Sequence, residues 1–199
     1  MQAVKLPVWI ANNVRIRNLY RGGIILQNRA SLGLVRIGYH KVDAIDIYSL
    51  HTIIDVQRGG QLIFESDAHI GHGAILCVKN DALLKCGQNF AISGTTSIVC
   101  YNKISIGNDV QFSWDTLVMD SDAHVILDTE NNEMLNSVPI SIGNKVWIAA
   151  QNTILKGTVI KDNCVVAASS LLNKEYNDAN SIIAGAPARI VKKIGGWHL

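Results

Sequence analysis

Proline and aromatic side chains are scarce in this chain. Three prolines and 6% aromatic residues in 199 positions do not suit a fold built on large ring clusters; they suit narrow layers packed with Ile, Val, Leu and Ala. Long apolar runs are missing as well. None approaches the ~18 residues of a membrane helix, and the opening MQAVKLPVWIANN lacks the charged-then-apolar layout of a secretory signal. The expectation is a cytoplasmic protein without a transmembrane segment. Cys77, Cys86, Cys100 and Cys164 lack the close pairing of a metal site and read as buried structural thiols, so no metal is expected. A hydrophobic content of 48% is enough for one domain over 1–199.

Charge of one sign is absent from two stretches. Residues 1–42 hold Lys5, Arg15, Arg17, Arg21, Arg29, Arg36 and Lys41 but no acid. Residues 104–144 hold Asp109, Asp115, Asp120, Asp122, Asp128, Glu130 and Glu133 but no Lys or Arg. The basic end reads as a solvated surface or as a contact for an anionic partner, such as a lipid-linked sugar phosphate or a membrane surface. Nucleic acid is not expected, because no series of stacking aromatics is interleaved with these cations.

What the chain does have is a repeat of six. From Ile142 to Leu171 it reads IGNKVW, IAAQNT, ILKGTV, IKDNCV, VAASSL. Ile142, Ile148, Ile154, Ile160 and Val166 open the blocks, and Val146, Asn152, Thr158, Cys164 and Ser170 hold the fifth slot. A spacing of six fits neither a helix nor a free strand. It does put the opening residues on one face of extended chain, with turn-forming pairs between them. Three such faces close a triangular coil of about 18 residues, and coils stacked at ~4.8 Å bury one apolar axis. The predicted fold is therefore all-β, a single-stranded parallel β-helix shaped as a triangular prism.

The same phase recurs upstream at Cys100, Ile106, Phe112 and Val118, with Ile92, Ile98, Ile104, Val110 and Thr116 in the fifth slot, and more roughly at Ile70, Leu76 and Ala82. The hexads are best defined over 90–172 and fade over 1–69. Between Val118 and Ile142 the sequence is acidic and poor in apolar residues, and an excursion loop near 119–139 is expected. Residues 173–199 are read as a short tail with helical potential.

Reactive groups in a solenoid belong in loops that interrupt the repeat. The excursion contains Asp120-Ser121-Asp122-Ala123-His124, and His124 is the sole histidine of residues 73–197. Its acidic setting suits a neutral imidazole acting as base toward an alcohol. His69 and His72 are three apart, so on a strand they diverge and do not make a metal pair.

The hexads, the loop DSDAHVI, the block VPISIGNKVWIAAQNTILKGTVIKDNCVVAASSLL and the ending IIAGAPARIVKKI together resemble the left-handed β-helix, hexapeptide-repeat acetyltransferases. The similarity is greatest to their sugar O-acetyltransferase branch, with the galactoside, maltose, capsule and O-antigen enzymes. It covers about residues 90–194. It implies a homotrimer of parallel prisms with acetyl-CoA as co-substrate between neighbouring subunits and a saccharide as acceptor, in surface-polysaccharide biosynthesis. The family's catalytic histidine falls on His124, which takes a proton from a sugar hydroxyl before the alkoxide attacks the thioester. Asp122 and Glu133 are the candidate orienting acids. Trp147, Ala150, Ala168, Lys174, Arg189 and Lys192 match the cofactor-contacting positions, with Trp147 walling either the acceptor or the pantetheine channel. Ala149-Ala150 stands where the family often has a second Gly after the Trp. Two alternatives remain open: an N-acetyltransferase acting on an amino-sugar nucleotide, and a noncatalytic β-helix scaffold.

Overall fold

Every regular element among the described residues is a β-strand, and the chain returns to the same face at every third strand. The computed structural model describes residues 7–28, 31–39, 42–43, 46 and 50–198; Lys5, Arg29, His40 and Lys41 lie outside them. The first face carries nine strands, from Val8–Ile10 to Ala188–Lys193. The second carries seven, from Val14–Asn18 to Leu171–Leu172, and the third seven, from Ile24–Leu26 to Glu175–Tyr176. Neighbours pair in parallel throughout, except for the last two strands of the first face. This is the predicted parallel β-helix.

The hexad slots build its axis. Ile142, Ile148, Ile154, Ile160 and Val166 are buried, as are Val146, Asn152, Thr158, Cys164 and Ser170. An unpaired buried polar group costs about 1–3 kcal/mol, so the polar fifth slots are occupied by side chains that bond their own turn. Asn152 Nδ2 donates to the Ala149 carbonyl at 2.8 Å, and its Oδ1 accepts the Ser170 amide at 2.8 Å. The hydroxyls of Thr158 and Ser170 donate to the Leu155 and Ala167 carbonyls at 2.7 and 2.8 Å. All four thiols are buried, and His69 is exposed while His72 is buried, as alternation on a strand requires.

Between Ile54 and Leu172 coil length varies at one corner alone. Ile98 stacks on Leu76 and under Val118 and Ile154 on the second face, and Ile106 stacks with Cys86, Ile142 and Ile160 on the third. Crossing from second face to third takes ten residues from Leu76 to Cys86, eight from Ile98 to Ile106 and six from Ile154 to Ile160. Over that span the other two corners keep their step of six, as from Ile70 to Leu76, Cys86 to Ile92, Ile142 to Ile148 and Ile148 to Ile154; nearer the N-terminus they take eleven residues from Leu26 to Ile37 and seventeen from Ile37 to Ile54. A full turn is thus 18 residues from Ile148 to Val166, 20 from Ile92 to Phe112 and 22 from Ile70 to Ile92. The excursion leaves from this same variable corner, between Leu117–Met119 and Ile140–Ile142.

Close stacking leaves no room at some positions. A Cβ on Gly71 would lie 1.9 Å from the Ser93 carbonyl oxygen of the next coil. At the third-to-first corner, successive turns place Lys145, Asn163 and Asn180 at φ of 53°, 56° and 56°.

The tail corrects an expectation. Residues read as having helical potential form two strands, Ser181–Gly185 and Ala188–Lys193, paired antiparallel as a hairpin on the end of the first face. Ile182 and Ile183 extend the ladder above Val165 and Val166, so an open sheet edge, and not local propensity, decides their conformation.

Candidate active site

The excursion is a ribbon on a fixed base. Asp120 is fully buried, and its carboxylate accepts the backbone N–H groups of Tyr101, Asn102 and Lys103 at 2.7–2.9 Å from the coil below. Its carbonyl oxygen accepts the Ser137 hydroxyl at 2.9 Å and the Val138 amide at 3.0 Å, which closes the ribbon's two strands. Ser121 bridges Ser137, and Leu127 bridges Glu133. At the tip, Asp128 accepts the Glu130 and Asn132 amides at 2.8 and 2.9 Å.

His124 projects from this ribbon just beyond the base. Ala123 precedes it at φ 59°, with its amide bonded to the Ser121 hydroxyl at 3.0 Å. The imidazole is exposed, and Nδ1 lies 3.2 Å from the Asp122 carbonyl oxygen. A protonated Nδ1 donating there leaves Nε2 with its lone pair facing outward, the arrangement of a general base. Neither candidate acid bonds the ring. The Asp122 carboxylate pairs with Lys156, and Glu133 lies toward the tip beside Leu127. What steadies His124 is the main chain of Asp122.

Lys156 was not singled out by sequence. It sits at the variable corner one coil beyond the excursion, where it pairs with Asp122 and donates to the Leu135 carbonyl at 2.6 Å. The hexad phase carries the signal: Lys156 follows Ile154, and Ile154 stacks directly on Val118.

The cofactor candidates divide between two corners and a face. Ala150 and Ala168 fall at the first-to-second corner on successive coils, joined through the Ser169 amide to the Ala150 carbonyl at 3.1 Å. Arg189 is exposed and pairs with Ala184 at the same end of the hairpin. Lys174 lies at the second-to-third corner, where its carbonyl receives the Val159 amide at 3.3 Å above the excursion. Trp147 and Lys192 stand on the first face. Trp147 is 39% exposed, and its Nε1–H donates to the Ser113 hydroxyl at 3.1 Å. His124 and the Ala150–Ala168–Arg189 edge therefore bound opposite sides of the second face. One copy of the chain does not bring them together.

That second face and its ribbon are apolar on the outside. Leu117 stands in one outward row with Ile75, Ser97, Thr153 and Leu171, and the ribbon exposes Val125, Ile126, Leu127, Met134 and Leu135, the last at 78%. Among the described residues, no group of three or more His, Cys, Asp or Glu could hold a metal ion, and no helix is long and apolar enough to cross a membrane.

Known proteins share both fold and sequence with this chain. No family model matches it. It is 28% identical over 144 residues to galactoside O-acetyltransferase of Escherichia coli K12, covering 70% of each chain. It is 24% identical over 147 residues to the putative lipopolysaccharide biosynthesis O-acetyl transferase WbbJ of the same organism, covering 69% of this chain and 74% of that one. Over a shorter stretch of 97 residues it is 34% identical to polysialic acid O-acetyltransferase of Neisseria meningitidis, 48% of this chain and 45% of the relative. In structure it matches the polySia-specific acetyltransferase NeuO with a TM-score of 0.59 at 16% identity, covering 95% of this chain and 90% of that one. A second match is an N-acyltransferase from Bacillus cereus in complex with dTDP and coenzyme A, at TM-score 0.51 and 17% identity over 94% and 81% of the chains. The fold is the left-handed β-helix of the hexapeptide-repeat acetyltransferases. The chain is related in sequence to the sugar O-acetyltransferases of that group.

Proposed function

We propose that this chain is an acetyl-CoA-dependent O-acetyltransferase that esterifies a hydroxyl of a saccharide, in the making of a surface polysaccharide in the cytoplasm. The observation that carries the reading is His124. It stands on a loop anchored by a buried carboxylate, with Nδ1 against a carbonyl and Nε2 free to take a proton. The relatives are named for O-acetyl transfer to galactosides and polysialic acid and, in one putative case, in lipopolysaccharide biosynthesis, which supports a sugar hydroxyl as acceptor.

The residues fit acetyl-CoA. Ala150 and Ala168 put small side chains on successive coils of one corner, where a narrow pantetheine arm can approach. Arg189, Lys174 and Lys192 are exposed cations suited to phosphates, Arg189 by a two-point contact. Bound acetyl-CoA supplies an activated acyl carbon. His124 contributes removal of the acceptor's proton, typically worth ~10²- to 10⁴-fold in rate. Asp120, Ser137 and Lys156 hold the imidazole at its station.

The divided site supports a homotrimer, in which the Ala150–Ala168–Arg189 edge of one copy meets the His124 corner of the next across the apolar second face. The basic, exposed residues Arg15, Arg17 and Arg21 support peripheral contact with an anionic membrane or lipid-linked substrate. Free thiol released from acetyl-CoA is the test, measured against a panel of glycans. His124→Ala should lose about 10²- to 10⁴-fold in turnover while acetyl-CoA still raises the melting temperature. Base-labile acetylated product marks an ester; a stable one marks an amide and defeats the O-acetyl reading.

A further inference from the structure

The residues beyond the last strand build a second aromatic wall on the first face. At the third-to-first corner Lys145, Asn163 and Asn180 recur on successive coils in the left-handed conformation, and the segment 194–197 runs down this column across the coils. The Ile194 amide donates to the Asn180 carbonyl at 2.9 Å, Asn163 Nδ2 to the Gly195 carbonyl at 3.3 Å, and Trp197 Nε1–H to the Lys145 carbonyl at 2.8 Å. Three anchors on three turns set the Trp197 ring 6.2 Å from Trp147 at an interplanar angle of 42°. The rings form a wedge, too open for a stacked pair.

The wedge stands over a cleft of about 240 Å³ lined by Ser93, Gln111, Ser113, Trp147, Trp197 and His198. It is smaller than the about 300–1,000 Å³ of drug-sized sites, so it suits one ring and not an extended molecule. No Lys, Arg, Asp or Glu lines it, which argues against phosphate or carboxylate as occupant. Its chemistry is two indole faces, an imidazole, two hydroxyls and a side-chain amide. A neutral pyranose presents the complement, an apolar C–H face bordered by hydroxyls that both donate and accept. A second cleft adjoins it, sharing Gln111, Trp197 and His198 and bounded by Asn89, Asp109 and Lys145, so the groove runs on along the corner beyond room for one ring.

We infer that the Trp147–Trp197 wedge is a subsite for an uncharged pyranose unit of the acceptor. This rests on the saccharide reading above and extends it, because it makes the acceptor a glycan with a neutral sugar and assigns Trp147 to the acceptor, not to the pantetheine channel.

Indole ¹⁵N–¹H spectra of the full chain, titrated without acetyl-CoA, test the inference independently of turnover. The probes are lactose, maltotriose and oligosialic acid, and separately coenzyme A. The four tryptophan signals are assigned with Trp147→Phe and Trp197→Phe. A neutral sugar should move the Trp147 and Trp197 signals and leave Trp9 and Trp114 in place, with Trp197→Ala weakening that sugar at least tenfold. Gln111→Ala, which keeps both rings and every anchor of the segment, should weaken it as well and guards against a folding defect in the first variant. Silence of both signals up to tens of millimolar neutral sugar overturns the inference, and so does movement with oligosialic acid or coenzyme A alone. If thiol release depends on His124 while these signals stay silent, the subsite falls and the transferase reading stands. Movement of the signals in a protein that releases no thiol has the opposite meaning.

Discussion

Lys156 and Asp122 form an ion pair that ties one coil to the root of the excursion on the coil before it. The same ammonium holds the Leu135 carbonyl at 2.6 Å, so both strands of the ribbon meet a single side chain. Asp122 in turn offers its carbonyl to His124 Nδ1 at 3.2 Å. The cation therefore acts on the imidazole through the main chain of its partner.

Lys156→Met should separate position from stability. The pair is partly solvated, with side-chain exposures of 25% and 30%, so its loss costs at most about 1 kcal/mol. A base displaced by as little as ~1 Å loses rate by up to about a hundredfold. Steady-state kinetics should show kcat lowered by about ten- to a hundredfold, KM for acetyl-CoA unchanged, and partial recovery in Lys156→Arg. An unaltered kcat would remove Lys156 from the positioning of His124.

Gly71→Ala probes the stacking itself. Its new methyl carbon would meet the Ser93 carbonyl at 1.9 Å, and that oxygen belongs to main chain that cannot swing aside. Urea unfolding should report a loss of about 3 kcal/mol. Gly195→Ala, with nothing within 4 Å of the added carbon, should stay within about 0.5 kcal/mol of the parent.

Burial raises the Cys100 thiol to about 12, with the Asp120 carboxylate adding to the shift. Cys86 is also driven up, by burial and then by Cys100. Both values lie above the ordinary 9.0, so the thiols favour the fold below that pH. Their contribution is lost as alkali carries the pH upward through the folded values. The native protein should leave Cys86 and Cys100 unmodified by an aromatic disulfide reagent at pH 8, and denaturant should expose them. Rapid native labelling would contradict their burial.

At the ribbon tip, hydrogen bonds from Asn132 and Glu130 hold the Asp128 carboxyl below its ordinary 3.8. A lowered folded value means that the ionised form supports the turn. Its contribution is complete above the unfolded value and fades as acid takes the pH down through the folded one. Carboxyl ¹³C titration should place Asp128 below 3.8, with faster amide exchange at Glu130 and Asn132 following the same curve. A midpoint at or above 3.8 would show that these bonds do not form in solution.

Much of the fold was legible because an aliphatic residue every sixth position has few uses besides lining a prism axis, and every hexad slot from Cys100 to Ser170 is buried. The repeat fades toward the N-terminus for a definite reason: its strands persist, but one corner grows from six residues to eight and ten, the other two grow to eleven and seventeen before Ile54, and each change shifts the phase. A search at fixed period loses register there, although Ile54, Phe64 and Ile70 are as buried as Ile154. The helical expectation for the tail failed because an unpaired sheet edge decides the conformation of Ile182 and Ile183, and local sequence cannot register an edge.

At the candidate site, His124 stood out in the sequence by its motif and its isolation. Its supports did not. Asp120 looked like one acid among several, yet it alone reaches the main chain of Tyr101, Asn102 and Lys103. Lys156 and Trp197 act across coils, through contacts 34 and 52 residues apart in sequence, and only the stacked turns bring such partners together.

The vertex between the second and third faces also gives an engineer an address. It already absorbs crossings of six, eight, ten and twenty-four residues while the strands on either side keep their pairing, so cargo spliced between Ile98 and Ile106, or in place of the ribbon tip, hangs outside the stack as a tassel.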